Sequence, residues 1–188
     1  MKLNKIVTLA IPILLLVGCG GGDKYSTPKT EQTSKAIMKT VLKTVLSDKQ
    51  YPYYICEQIV EFQFKKDELL VNIGEASKDK TKAKDVLKTS NEIDKILDNM
   101  EHMKVPDKYK DIHKSILDGV TESREATKLM RDAGKEDELK IQEAAIRGSQ
   151  FLSGADGEHW KKAIYELLQE NKDAYSKALD KKVEEHSK

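Results

Sequence analysis

The sequence has few of the residues that form cross-links or grip nucleic acids. Its two cysteines exclude a framework of several disulfides. It has three arginines, Arg124, Arg131 and Arg147, and its 33 basic residues nearly balance 32 acidic ones. Because nucleic-acid binders concentrate positive charge on one face, this balance argues against a nucleic-acid partner.

Catalytic and metal-binding motifs are also missing. The sequence has no phosphate-binding loop, nucleophile elbow or calcium loop, and no pair of histidines at helical zinc spacing. The histidines are His102, His113, His159 and His186. His159 with Asp156 and Glu158 is a weak candidate for a metal ion, and a polar helix start is the simpler interpretation. We therefore expect no catalytic residues, no metal and no enzymatic activity.

The longest apolar run, residues 6–17, follows Lys2 and Lys5. About twelve residues are too few to cross a bilayer, which needs roughly twenty, but they are typical of a signal peptide. The run ends in Leu16-Val17-Gly18-Cys19, which resembles the lipobox of bacterial lipoproteins. The resemblance implies that diacylglycerol is attached covalently to the Cys19 sulfur and that the chain is cut between Gly18 and Cys19. We expect no cofactor.

This resemblance divides the chain into three parts. Residues 1–18 are predicted to be the signal peptide, residues 19–30 the lipidated cysteine and a flexible glycine-rich tether, and residues 31–188 a helical domain. The predicted location is the extracytoplasmic face of a bacterial cell membrane, through the lipid anchor. An aspartate directly after the modified cysteine would resemble an inner-membrane retention signal, and this chain has Gly20 there instead. In an organism with an outer membrane, that membrane is therefore also compatible with the sequence.

The domain shows apolar residues spaced alternately by three and four, which is typical of amphipathic helices. Pro52, Pro106 and Gly134 fall between these segments, where helices start and stop. We predict an all-α fold, an up-and-down bundle of about four main antiparallel helices with a shorter N-terminal helix. The predicted segments are residues 34–46, 53–77, 81–103, 107–133, 136–152 and 158–179; the last two could form one kinked helix.

Several side chains within these helices have two interpretations. Cys56 has apolar neighbours, which favours a buried thiol over a reactive one. The aromatic residues Tyr51, Tyr53, Tyr54 and Phe64 fit a packed helix start, or alternatively an exposed surface for a partner. Glycines 74 and 119 interrupt helical stripes, which would suit a close helix crossing or a bend.

A second resemblance begins at Val105-Pro106-Asp107-Lys108-Tyr109. A proline-opened helix of this kind is similar to a pattern in small helical-bundle lipoproteins of Gram-positive bacteria, and it implies a bundle without a specific biochemical role. Because the predicted domain is anchored, charge-balanced and without a catalytic motif, we expect a non-enzymatic interaction module that contacts another protein of the cell envelope. The alternative is a lipoprotein that binds a small ligand or a metal ion inside the bundle.

Overall fold

The computed structural model describes residues 45–133 and 138–187. These residues contain helices and turns and no β-strand, so the predicted all-α class is confirmed. The described α-helices are α1 (Gln50–Ala76), α2 (Ala83–His102), α3 (Lys110–Ala133), α4 (Glu138–Gly154), α5 (Lys161–Leu168) and α6 (Ala174–His186). Short 3-10 turns, Lys80–Lys82 and Asp107–Tyr109, precede α2 and α3.

The start of α1 is set by a reciprocal pair of hydrogen bonds. The Ser47 backbone N–H donates to Gln50 Oε1 at 3.1 Å, and the Gln50 N–H donates to Ser47 Oγ at 3.3 Å. This capping box satisfies two donors that a helix start would leave unpaired. The predicted N-terminal helix lies mostly outside the described residues, and Val45 and Leu46 at its end are not helical.

The helical path from α4 to α5 is continuous, because the π-helix Ala155–Trp160 joins them. The alternative that the last two predicted segments form one helix is therefore correct from Glu138 to Leu168, whereas the predicted end at residue 179 is wrong, because the helix breaks after Leu168. The backbone N–H and the Nδ2 of Asn171 both donate to the Leu167 carbonyl, at 3.2 and 3.3 Å, which closes the last turn before the break. The Asn171 carbonyl then accepts the Ala174 N–H at 3.0 Å, which starts α6.

The main core lies between α1, α2, α3 and α4, and Trp160 is at its centre with no exposed surface. The Trp160 ring meets the Phe62 ring edge to face at 4.4 Å between centroids. Its Nε1–H donates to the Ile116 carbonyl at 3.0 Å. Gly119 leaves room for this ring, which comes from a different helical segment. Gly74, by contrast, faces open space.

Helix α6 lies outside this core and packs mainly on α1. A small second cluster joins the two helices through Cys56 and Val60 on α1 and Ala174 and Ala178 on α6, all of them buried. The apolar character of α1 on two sides is what allows one helix to contact both the main core and α6.

Candidate functional site

The predicted lipidation site, Cys19, and the predicted cleavage site between Gly18 and Cys19 lie outside the described residues. None of the helices in the described ranges combines the length and the apolarity that a membrane span requires.

Tyr51 does not belong to the exposed partner surface considered above, because its side chain has no exposed area. Its ring stacks on Tyr109 at 4.8 Å, and its hydroxyl lies 2.9 Å from His113 Nδ1. The Tyr109 hydroxyl in turn donates to the Asp48 carbonyl at 3.1 Å. Burial raises the Tyr51 pKa and lowers the His113 pKa to about 4, so the imidazole is neutral at pH 7. This cluster holds the start of α1 against α3 and the turn before it.

The other three aromatic residues do not share one open surface either. The Tyr53 hydroxyl donates to Asp173 Oδ1 at 2.7 Å, and the Phe64 ring stacks on His186 at 5.0 Å, so both are engaged by the α6 region. Tyr54 is the member that faces a concave surface. Its hydroxyl oxygen is buried without a hydrogen-bond partner among the described residues, and burial raises its pKa to about 12.

This concave surface is a groove of about 600 Å³ between α1, α2 and α6, which we call the α1–α2–α6 groove. Its apolar lining comes from Tyr54, Val60, Ile96 and Ala178. Within it, Asn99 Nδ2 donates to Gln58 Oε1 at 3.1 Å, so these two buried amides satisfy each other. The groove exists because α6 covers only one side of α1 and leaves the side next to α2 open.

The rim of the groove carries charges of both signs in equal number. The acidic residues are Glu57, Glu61, Glu92 and Glu185, and the basic residues are Lys65, Lys95, Lys181 and Lys182.

Most of these rim charges form ion pairs that cross between helices. Lys65 bridges α1 to Glu92 on α2 at 2.7 Å, and Lys181 on α6 meets Glu57 on α1 at 3.1 Å. Lys182, whose side chain is mostly covered, pairs with Glu61. The surface is therefore neutral overall, with a polar rim around an apolar floor.

Cys56 is buried, as predicted, and burial raises its pKa to about 12. A thiol in this environment is neutral at pH 7 and a poor nucleophile.

The candidate metal site of His159 with Asp156 and Glu158 is not assembled in the structure. Asp156 is held by Lys66 Nζ and Gln63 Nε2, each at 2.8 Å, whereas His159 Nε2 lies 3.3 Å from Glu122 Oε1. The two candidate ligands are thus engaged by different partners.

One other group of metal-type ligands occurs in the described part of the chain, and the sequence analysis missed it. Asp98, Glu101 and His102 place a ligand atom each within 4.8 Å, at an exposed position. Arg124 already binds both carboxylates, because its Nη2 lies 2.6 Å from Asp98 Oδ1 and 2.6 Å from Glu101 Oε2. A guanidinium in this position supplies the positive charge that a metal ion would otherwise provide.

The spacing of the groove residues on α1 is visible in the sequence. Tyr54, Gln58, Glu61 and Lys65 recur at spacings of four, three and four, which places them on one face of α1. Three of the four are polar, so this face reads as solvated surface unless the position of α6 is known.

Comparison with known proteins gives no family for the chain: it matches no protein-family model, no curated protein and no solved structure.

Proposed function

We propose that the protein is a bacterial lipoprotein, anchored through Cys19, that acts as a non-enzymatic binding module at the cell envelope. The observation that carries this proposal is the α1–α2–α6 groove, with its apolar floor and its rim of paired charges. The ligand it fits is an amphipathic helical segment of another envelope protein.

The dimensions of the groove support a helical ligand. From Tyr54 to Lys65 the floor follows α1 for about 16 Å, at roughly 1.5 Å per residue, which equals three turns of a bound helix. Helix-in-groove recognition uses an apolar stripe for affinity and flanking polar groups for orientation. Four acidic and four basic rim residues suit a segment with charges on both sides of its stripe. They suit a small apolar molecule or a metal ion in the bundle interior less well.

The up-and-down arrangement belongs to the same proposal. It is supported by cross-helix contacts in which the residue number rises on one helix as it falls on the next. Such pairs are Gln58–Asn99 and Asn72–Thr89 for α1 and α2, Asp98–Arg124 and Asp94–Arg131 for α2 and α3, and Ile116–Trp160 and Met130–Gly148 for α3 and the helix formed by α4 and the π-helix.

The described structure begins at one end of the bundle. The Leu46 backbone N–H donates to the Lys104 carbonyl at 3.3 Å, so the chain enters beside the α2–α3 connection. The tether of residues 20–30 reaches at most roughly 35–40 Å when extended. Two acyl chains on Cys19 would then hold the domain close to the lipid surface.

The anchor is tested by fractionating cells that express the wild-type chain or Cys19→Ala. Wild type is expected in the membrane fraction with a mature mass that includes diacylglycerol, and Cys19→Ala is expected to lose both the lipid and normal processing. Normal processing and full membrane retention of Cys19→Ala would overturn the proposed anchor.

The binding role is tested by placing a photocrosslinking amino acid at Lys95, on the groove rim, in the full-length protein in cells. Lys114, an exposed lysine on α3 outside the groove, is the matched control position. Capture of one dominant envelope protein from position 95, and not from position 114, is expected. Equal capture from both positions, or none from either in cells with abundant anchored protein, would contradict a binding role for the groove.

A further inference from the structure

We propose that the α1–α2–α6 groove is occupied by residues 34–44 of the same chain, which would fold back as a helix antiparallel to α1. This inference does not depend on the partner proposed above, since the segment would dock whether or not such a partner exists. It gives this segment, which precedes the described helices, a role as a competitor for the groove.

The place where the chain enters the described structure supports this docking. The Ser47–Gln50 capping box starts α1, and the Leu46–Lys104 hydrogen bond holds the chain just before it against the end of α2. Two helices joined by a loop of about two to five residues commonly form an antiparallel hairpin. A helix that ends at residue 44 would therefore be directed along the flank of α1, beside α2, where the groove lies.

The length of the segment matches the length of the groove. Eleven residues, 34–44, would form a helix of about 16 Å, and the groove follows α1 for about 16 Å from Tyr54 to Lys65. The apolar residues of the segment, Ile37, Met38, Val41 and Leu42, fall on one helical face. Val45 continues this stripe, and it is 57% exposed in the described structure. Docking in the groove would bury this apolar stripe against α1.

The turn also predicts which residues would meet. With the hairpin centred near Asp48, Leu42 would face Tyr54 and Met38 would face Gln58, while Lys35 would approach Glu61. Leu42 and Met38 would then lie on the apolar floor. Lys35 would join the rim charges, next to the carboxylate that Lys182 pairs with.

A disulfide cross-link tests this register in the full-length chain in membranes. Met38→Cys with Gln58→Cys is compared with Thr40→Cys and Gln58→Cys, both in a Cys56→Ala background. Thr40 lies two residues from Met38, about 200° around a helix, so it would point away from α1. After mild copper-phenanthroline oxidation, we expect the 38–58 disulfide in peptide mass spectra at a yield at least about tenfold above 40–58. Equal yields, or no 38–58 disulfide while both thiols remain reactive to maleimide, would overturn the docking.

A second measurement does not depend on the engineered pair. Maleimide labelling of Lys95→Cys on the groove rim is compared in three full-length chains: otherwise unchanged, with Leu42→Asp, and with Thr40→Asp as the control. A docked segment predicts that Leu42→Asp speeds labelling several-fold and that Thr40→Asp does not. Identical rates in all three would contradict the docking.

The outcomes also separate this inference from the proposed binding role. An intramolecular 38–58 disulfide without any captured protein would support the docked segment and remove the external partner. A captured protein at position 95 with equal 38–58 and 40–58 yields would do the reverse. Both positive results together would mean that the partner displaces residues 34–44 from the groove.

Discussion

Gly119 and Trp160 touch so closely that a side chain on the glycine would overlap the indole. A Cβ on Gly119 would lie 2.8 Å from Trp160 Cδ1, and closer still to Nε1. The ring is held in place on two sides, because Nε1–H is bonded to the Ile116 carbonyl and the ring packs edge to face with Phe62.

Gly119→Ala is therefore expected to destabilise the protein by about 1–3 kcal/mol, the range for overpacking a filled core. Gly74→Ala is the matched control, because nothing lies within 4 Å of its Cβ position. There the gain in helix propensity should stabilise by about 0.5–1 kcal/mol. Urea denaturation followed by circular dichroism measures both, and opposite signs are the predicted result; a neutral Gly119→Ala would show that Trp160 is free to shift.

His113 makes stability depend on pH. Its folded pKa of about 4 lies below the ordinary value of 6.5, so the unfolded chain binds this proton first as the pH falls. The contribution is fully present above pH 6.5 and is lost as the pH falls toward 4, with a total of up to about 3 kcal/mol.

His113→Gln should flatten the decline in the free energy of unfolding between pH 7 and pH 4.5, besides lowering it at pH 7. His102→Gln is the control, since His102 is exposed. Parallel curves for wild type and His113→Gln would contradict the assignment of this slope to His113.

Cys56 reports whether α6 is docked. Because the thiol is covered by Ala174 and Ala178, native protein should react with a maleimide at least about 100-fold more slowly than unfolded protein. Ala178→Glu would place a charge in this contact and should speed the reaction, whereas Ser176→Glu, on the exposed face of α6, should not. Fast labelling of native wild type would show that the α1–α6 contact is open.

Asp156 anchors a polar cluster beside the π-helix. It accepts hydrogen bonds from Lys66 and Gln63, and Tyr175 OH donates to Gln63 Oε1 at 2.8 Å. Asp156→Ala would leave the largely covered Lys66 ammonium unpaired and should cost about 1–3 kcal/mol in urea denaturation. Glu158→Ala, at an exposed position two residues away, should change stability by less than about 0.5 kcal/mol. Similar losses for both variants would contradict a specific role for the Asp156 pairs.

The sequence predicted the helices well because apolar periodicity reports local amphipathicity, which packing in a bundle does not override. Ile55, Ile59 and Phe62 are spaced as a buried stripe and are buried. It predicted poorly where a residue's partners come from distant parts of the chain. Tyr51 resembles its aromatic neighbours in sequence, and only the arrival of Tyr109 and His113 makes it a core residue.

Two further features were out of reach for the same reason. No proline or glycine marks the helix break after Leu168 in the sequence. The groove depends on where α6 comes to rest on α1. Spacing gives the apolar face of each helix, but not which neighbour will cover it.

The position of α6 also has a consequence for the order of folding. Helix α6 is the last described helix to be synthesised, and the core around Trp160 is built from residues before it. No α6 residue belongs to this core, so its packing does not require α6 to be in place. Until α6 docks, the Cys56 thiol faces solvent. The interval between core formation and α6 docking is thus the period in which this thiol is open to oxidation, and completion of the fold ends it.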